Sequence, residues 1–231
     1  MKVELMNFAR LTGLTLAAAL SIGATKPAPR NWNNAVVLLP SGSHLLGNPA
    51  AEVKLVEFVS YTCPHCSHFE VQAHAPLRLA YVHSGKLSVE VRHLLRDPID
   101  LTAAMLTNCG PKEKFFLNHA AMMRRQPIWM RPLATASAAQ HARWTTGDRV
   151  TRSRAIANDF QFYQIMATRG YDRTAVDRCL ADQAMAERLG KMTTDAATLG
   201  VESTPSFSLN GTLLTGTNDW AMLRPQIDAR M

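Results

Sequence analysis

Two cysteines separated by two residues follow directly on a short apolar run, and this feature constrains the fold most strongly. The run over residues 54–60 has the length of a strand. Beyond the cysteines, apolar residues recur at helical spacing, namely at Phe69, Ala73, Leu77, Ala80 and Tyr81. We therefore expect a strand, a turn and a helix, with Cys63 at the helix N-terminus and Cys66 one turn further in.

This position predicts an acidic thiol at Cys63. A thiolate, not a thiol, attacks a disulfide, and a helix N-terminus offers unpaired N–H groups and about half a positive charge. Pro64 suits the first turn because the N–H it lacks would have no partner there. His65 adds a second group that favours the anion, so both effects lower the pKa of Cys63 below about 8.5. A stabilised thiolate stabilises the reduced dithiol, which makes the disulfide form a strong oxidant.

The residues around the cysteines resemble those of the DsbA family of thiol–disulfide oxidases. The motifs that carry the resemblance are Glu57-Phe58, Cys63-Pro64-His65-Cys66 and Phe69-Glu70. The resemblance is dense over residues 50–70 and returns over 198–216. It implies an α/β protein with a thioredoxin fold interrupted by a helical insertion domain. It also implies that Cys63 is the exposed nucleophile and Cys66 the more buried, resolving partner.

The N-terminus has the pattern of a targeting segment. Lys2 and Arg10 flank the start of an apolar stretch, Leu11 to Ala24, which is short for a membrane span and ends in small residues. We expect a cleaved signal peptide over residues 1–24, with an uncleaved anchor as the alternative. Export to the periplasm or a similar oxidising compartment agrees with the even number of cysteines.

The rest of the chain divides into four segments. We expect a linker with a possible edge strand over residues 25–50, in which 41–51 is a loop. The first half of the thioredoxin domain then covers 51–98, with a kink at Pro76. A helical insertion covers 99–190, with helices over 101–109, 113–125, 132–144, 149–169 and 174–189. The second half of the thioredoxin domain covers 191–231.

Glu57 is unusual within its strand. With a period of two it shares a face with Leu55 and Val59, so it should point into packed surroundings, where a carboxylate is costly unless paired or protonated. The resemblance implies a role in proton movement beneath the redox pair. The alternative is an edge residue that pairs with Arg92 or is capped by His93.

The second half carries the other site residues. The resemblance implies that Pro205 is a cis-proline opposite the active cysteines, and that Thr204 and Pro205 position the backbone of the substrate. Cys109 and Cys179 lie in the insertion, and the resemblance implies a structural disulfide between them. Two buried free thiols, or a regulatory redox pair, are the alternatives.

Together these features predict an exported thiol–disulfide oxidoreductase that donates its disulfide to folding proteins with free thiols. No cofactor and no metal is required, and the resemblance implies a membrane redox partner that reoxidises the protein. The net charge of +7 is spread along the chain, so nucleic-acid binding is not indicated. The alternatives are an isomerase or reductase of the same fold, a metal-binding module using Cys63, Cys66 and His65, His68 or His74, and a closed domain that only binds partners.

Overall fold

The structure, a computed structural model, describes residues 31–231 together with Met1. The expected signal peptide over 1–24 and the first residues of the 25–50 segment lie outside the described residues. Within the described part of the chain, no helix is both long enough and apolar enough to cross a membrane.

The described residues form a six-stranded mixed sheet. Its strands are β1 (Val36–Leu38), β2 (His44–Gly47), β3 (Val53–Val59), β4 (Leu87–His93), β5 (Ser206–Leu209) and β6 (Thr212–Leu213). The spatial order is β1-β2-β4-β3-β5-β6. Strands β3 and β4 run parallel, and the other neighbours are antiparallel. β3 therefore lies inside the sheet, and six of its seven residues are buried.

A helical crossover joins the two parallel strands. It begins as α1 (Pro64–Pro76) and continues as a π-helical segment, Leu77–Val82. The kink expected at Pro76 takes the form of this change of helix type, since proline has no N–H for the regular hydrogen bond. The crossover places the N-terminus of α1, and with it the paired cysteines, directly after the carboxyl end of β3.

The loop expected over residues 41–51 is wrong, because β2 lies within it. All four residues of β2 are buried, and the strand pairs with β1 on one side and β4 on the other. Gly42, two residues before β2, and Gly47, its last residue, have positive φ angles of 84° and 105°. A strand this short depends on its neighbours and its burial for stability, and neither is visible in local sequence.

The helical insertion lies between β4 and β5. Its helices are α2 (Pro98–Thr107), α3 (Phe115–Arg124), α4 (Gln126–Trp129), α5 (Pro132–Thr135), α6 (Ala138–Thr145), α7 (Arg149–Asp159), α8 (Phe162–Ala167), α9 (Arg173–Ala181) and α10 (Gln183–Thr198). The last helix of the fold is α11 (Trp220–Asp228), after β6.

Three of the expected helices are each divided in two. The helix expected over 174–189 breaks at Asp182, whose side chain caps α10. The helix expected over 132–144 breaks where Ser137 caps α6 through a capping box with Gln140. The helix expected over 149–169 breaks at Gln161, which has a left-handed φ of 61°. This break lets Phe160 and Phe162 both pack against the buried indole of Trp129. Aromatic packing thus overrides the continuous helical pattern.

A disulfide joins two parts of the insertion. Cys109, two residues after α2, is bonded to Cys179 in α9, with the two Cα atoms 5.6 Å apart. This is the pair that the resemblance implied. It closes a loop of 70 residues and ties the segment after α2 to α9.

Candidate active site

Cys63 occupies the N-cap position of α1. Its backbone is extended, with φ −92° and ψ 116°, and Pro64 holds the first helical position. The Cys63 carbonyl accepts hydrogen bonds from the backbone N–H of Cys66 at 3.2 Å and of Ser67 at 3.4 Å. The structure holds Cys63 and Cys66 as free thiols. The start of the helix thus places both sulfurs at its positive end.

The surroundings of Cys63 favour its thiolate. They lower the pKa of Cys63 from its ordinary 9.0 to about 5, mainly because the Cys66 thiol donates a hydrogen bond to the Cys63 sulfur. The side chain of Thr204, the backbone N–H of Cys66 and the charge of Arg96 act in the same direction, while burial opposes them. Cys63 is therefore ionised at neutral pH.

Cys66 has the opposite properties. It is fully buried, and burial raises the pKa of its thiol well above the ordinary value. Its interactions with Cys63 act in the same direction, and the charge of Glu57 adds to them. At neutral pH Cys63 is thus a thiolate, whereas Cys66, three residues further on, is a protonated thiol.

The expectation that Cys63 is exposed is wrong for the residue as a whole, since only 1% of its surface is accessible. Its sulfur faces the loop before β5, where the thiol form donates to the Thr204 carbonyl at 3.1 Å. Pro64 and His65 are exposed beside it. Within the described chain, the His65 ring makes no hydrogen bond to either sulfur.

The loop opposite Cys63 contains a cis peptide bond between Thr204 and Pro205. The hydroxyl oxygen of Thr204 is buried and has no hydrogen-bond partner among the described residues. Its proton is free to point at the Cys63 thiolate, which accounts for the contribution of this side chain to the low pKa of Cys63. Thr204 therefore lies where both its carbonyl and its side chain meet the reactive sulfur.

Buried side chains of the insertion, which the sequence did not reveal, hold the loop before Cys63. Gln126 in α4 is 2% exposed, and its amide donates to the carbonyls of Tyr61 at 2.6 Å and Cys63 at 2.8 Å. Asp100 in α2 is fully buried and accepts from the Ser60 hydroxyl at 2.6 Å and the Tyr61 N–H at 2.7 Å. Burial raises the pKa of Asp100 to about 7. Nothing in the local pattern around Gln126 or Asp100 signals these contacts, because their partners lie about 40 to 65 positions away.

Glu57 points into packed surroundings, as its position in the strand predicts, and is 5% exposed. The alternative that it is an edge residue paired with Arg92 is wrong. β3 is interior to the sheet, and the Arg92 Nε lies 2.6 Å from the Glu90 carboxylate instead. Burial, reinforced by the charge of Glu70, raises the pKa of Glu57 to about 8.

A small cavity of about 30 Å³ connects Glu57 with other titratable side chains. Glu70, His74 and His119 line it too. The Glu70 carboxylate lies 2.8 Å from His74 Nδ1 and 3.8 Å from His119 Nε2. A volume of this size accommodates about one water molecule. Carboxyl and imidazole groups are therefore arranged around a space that a water molecule fits.

Among the described residues, no group of three or more His, Cys, Asp and Glu side chains is arranged to hold a metal ion. The side chains named for a metal site do not converge on the two sulfurs. His65 and His68 are exposed, and the His74 ring lies against Glu70.

Fold and site together define a class of protein: a thioredoxin fold with a helical insertion, in which a dithiol at a helix N-terminus faces a cis-proline. The family model described as Thioredoxin matches residues 40–229. The chain belongs to the thioredoxin family and has a DsbA-like fold.

Comparison with solved structures agrees with this class. The chain is similar to a protein-disulfide isomerase from Novosphingobium aromaticivorans, with 55% identity, a TM-score of 0.79, and coverage of 82% of this chain and 97% of that one. Its fold is also similar to that of alpha-DsbA1 from Wolbachia pipientis, with 22% identity, a TM-score of 0.66, and coverage of 83% and 91%.

Curated relatives match over a shorter stretch. A protein of Rickettsia typhi described as "Putative protein-disulfide oxidoreductase RT0103" is 33% identical over 86 residues, which are 37% of this chain and 32% of that protein. The chain thus spans about a third of the length of the curated relatives it matches.

Proposed function

We propose that this protein is an exported disulfide donor, which passes its Cys63–Cys66 disulfide to folding proteins that carry free thiols. The observation that carries the proposal is the opposite ionisation of the two thiols, with the pKa of Cys63 lowered to about 5 and that of Cys66 raised. A thiolate stabilised to this extent favours the reduced dithiol, so the disulfide gives up its oxidising equivalents readily.

Donation proceeds in two exchanges through a mixed disulfide. A substrate thiolate attacks the Cys63 sulfur, the Cys63–Cys66 bond breaks, and Cys66 leaves as a thiolate. A second substrate thiolate then attacks the substrate sulfur of the mixed disulfide, and Cys63 leaves as a thiolate. The substrate sulfurs lose two electrons and form a disulfide, while the protein gains those electrons as a dithiol. Cys63 is the leaving group that its surroundings stabilise, which favours the second exchange.

The Cys66 thiolate must gain a proton in a site without solvent access. We assign this transfer to Glu57, whose pKa of about 8 keeps it protonated at neutral pH. Its charge acts on the pKa of Cys66, so the two groups are within electrostatic reach. The cavity beneath Glu57 leads towards His74, whose side chain is 25% exposed, and offers a way to replace the proton from solvent.

Export and recycling complete the proposal. The targeting pattern over residues 1–24 supports a periplasmic or otherwise exported location, where a disulfide persists. The reduced dithiol then needs an oxidant, for which we propose a membrane redox partner that accepts the two electrons. The Cys109–Cys179 disulfide suits the same compartment.

An isomerase of the same fold is the second candidate. The observation that favours it is the 55% identity with a protein whose structure is described as that of a protein-disulfide isomerase. The two functions differ in their use of Cys66. Isomerisation begins with attack by a Cys63 thiolate and returns that thiolate, whereas donation consumes a disulfide that both cysteines form.

The equilibrium of the Cys63–Cys66 pair in glutathione redox buffers tests the proposal, with Cys63→Ala as the control that cannot form the pair. A donor is expected to be far more oxidising than thioredoxin at about −270 mV. A potential close to thioredoxin's contradicts donation. Cys66→Ser then separates the candidates, because it abolishes donation but leaves attack on scrambled disulfides possible. Retained activity in refolding a scrambled protein identifies an isomerase.

A further inference from the structure

A basic pocket lies beside the loop that carries Cys63. Its volume is about 280 Å³, and it opens between the connection from β4 to α2 and the start of α7. Arginines Arg96, Arg149 and Arg152 line it, together with a single carboxylate, Asp97. None of the three arginines forms an ion pair within the described chain. The pocket therefore concentrates positive charge that neighbouring carboxylates do not neutralise.

The Asp97 carboxylate is already engaged. One oxygen accepts from the backbone N–H groups of Ile99 and Asp100, each at 2.8 Å, and caps α2. The other oxygen accepts from the Thr62 hydroxyl at 2.8 Å. Asp97 is thus bonded to Thr62, the residue that precedes Cys63. Because Asp97 also lines the pocket, the pocket lies next to the loop that carries Cys63.

Two of the arginines have unused donors. The Arg96 side chain is exposed and makes no hydrogen bond within the described residues. Arg152 donates only from Nη1, to the Thr145 carbonyl at 3.4 Å, and its Nε is buried without an acceptor among the described residues. Arg149 differs, since it donates to the carbonyls of Leu180 and Ala181 and to Gln183. A planar guanidinium with free N–H groups is suited to a carboxylate.

The pocket lies within electrostatic reach of the reactive sulfur, because the charge of Arg96 contributes to the low pKa of Cys63. A polypeptide whose cysteine is bonded to Cys63 must pass close to this loop. Its neighbouring side chains are then the groups most able to enter the pocket. The volume suits one side chain rather than a folded element.

We propose that this pocket is a subsite for an acidic side chain of the polypeptide being oxidised, an aspartate or glutamate near its reacting cysteine, with Arg96 and Arg152 as its carboxylate donors. The inference rests on the proposed function, because it concerns the substrate of that same site. It assigns the substrate class as thiol-containing chains with a carboxylate beside the cysteine.

Matched dithiol peptides test this assignment. Each carries two cysteines and an amidated C-terminus, with either Glu or Gln at successive positions beside the first cysteine. The oxidised protein is mixed with each reduced peptide, and the second-order rate of disulfide transfer is measured at low salt. Each rate is divided by the rate at which the same peptide reduces a small aromatic disulfide. This division is needed because a carboxylate also changes the reactivity of the peptide's own thiol.

At the best position we expect the normalised rate for Glu to exceed that for Gln by about threefold to tenfold, and the ratio to fall towards one as salt is added. Arg152→Gln is expected to bring the ratio close to one, and its circular dichroism and the alkylation of its two reduced thiols, each compared with wild type, check that the fold and the dithiol are intact. Arg152→Lys keeps the charge and is expected to retain part of the ratio. Arg96→Gln is expected to raise the pKa of Cys63 as well. For this variant only the ratio of the Glu-peptide rate to the Gln-peptide rate is therefore informative.

The control variant is Arg178→Gln. Arg178 is exposed, its side chain makes no ion pair within the described chain, and it lines a different cleft. It tests whether the overall positive charge alone attracts acidic peptides. A ratio that falls equally in Arg178→Gln and Arg152→Gln overturns the subsite, as does a ratio of one in the wild-type protein. Failure of both peptides to react would overturn the proposed function, and the subsite with it.

Discussion

The two cysteine pairs of this protein have the same side chains and opposite chemistry. Cys63 and Cys66 are three positions apart at the start of α1, and Cys109 and Cys179 are 70 positions apart across the insertion. The first pair lies among groups that separate the ionisation of its members: hydrogen-bond donors, an arginine and a buried carboxyl. The second pair joins the segment after α2 to α9, and the bond itself closes a long loop.

The surroundings of the cysteines, rather than their number, decide the role of each disulfide. Around Cys63, stability of the thiolate makes the bond easy to lose. Around Cys109, closing the loop restricts the unfolded chain and makes the bond worth keeping. In the proposed function the first pair exchanges its disulfide, whereas the second pair keeps its own.

The largest effect is expected from removing the nucleophile. Cys63→Ala eliminates the exchangeable disulfide, so oxidation of a reduced dithiol peptide should fall by at least about a thousandfold. Cys109→Ala/Cys179→Ala leaves the redox pair in place and should retain most of that rate at a temperature where it is folded. Equal losses in the two variants would remove the functional distinction between the pairs.

The insertion disulfide is expected to dominate stability instead. Removing a bridge over 70 residues should lower the free energy of unfolding by about 4 kcal/mol in the chain-entropy description. Denaturant unfolding of Cys109→Ala/Cys179→Ala against the wild-type protein, with Cys63 and Cys66 reduced in both, measures this loss. A loss below about 1 kcal/mol would mean that packing, not the bond, holds the insertion together.

Glu57, near the first cysteine pair, is expected to lower the stability of the folded protein, whereas the second pair raises it. Its pKa rises from 4.5 in the unfolded chain to about 8 in the folded protein. Between pH 4.5 and about pH 8 the folded state binds more protons than the unfolded chain, so the free energy of unfolding falls as pH rises. Above about pH 8 this loss is complete. We therefore expect Glu57→Gln to raise the free energy of unfolding by about 3 kcal/mol more at pH 7 than at pH 4. Unfolding at both pH values, in parallel with wild type, measures this difference, and an equal effect at both would contradict a buried, protonated Glu57.

Thr204 is expected to give the smallest effect. Thr204→Val keeps the shape of the side chain and removes the hydroxyl that favours the thiolate, so the pKa of Cys63 should rise by about one unit. The thiolate absorbance of the reduced protein during a pH titration reports this shift. Ser206→Ala, which removes a hydroxyl that bonds the Ser203 carbonyl instead, serves as the matched control. If both variants titrate like wild type, the Thr204 hydroxyl has no contact with the sulfur.

The sequence predicted the parts of the fold that local pattern encodes. The strand before Cys63 and the start of α1 both follow from residue type and spacing. β2 was missed, because a four-residue segment that ends in a glycine becomes a strand only through its two neighbouring strands.

The candidate site was predictable in its reacting atoms but not in its support. The two sulfurs are visible in the motif, and Thr204 and Pro205 in the family resemblance. The depth at which Cys63 is buried, and the hold of Gln126 and Asp100 on its loop, depend on side chains of the insertion that meet the loop only after folding. Distant contacts of this kind leave no period or spacing in a single sequence.

The proposed function depends on Cys63 being a thiolate and Cys66 a protonated thiol at neutral pH. Titrating the ultraviolet thiolate absorbance of the reduced protein, with Cys63→Ser and Cys66→Ser to assign each sulfur, tests it most directly. We expect one transition with a midpoint near pH 5 that disappears in Cys63→Ser, and no ionisation of Cys66 below its ordinary pKa of 9.0. A single transition near pH 9 for both sulfurs would show that the two thiols do not differ in ionisation at neutral pH.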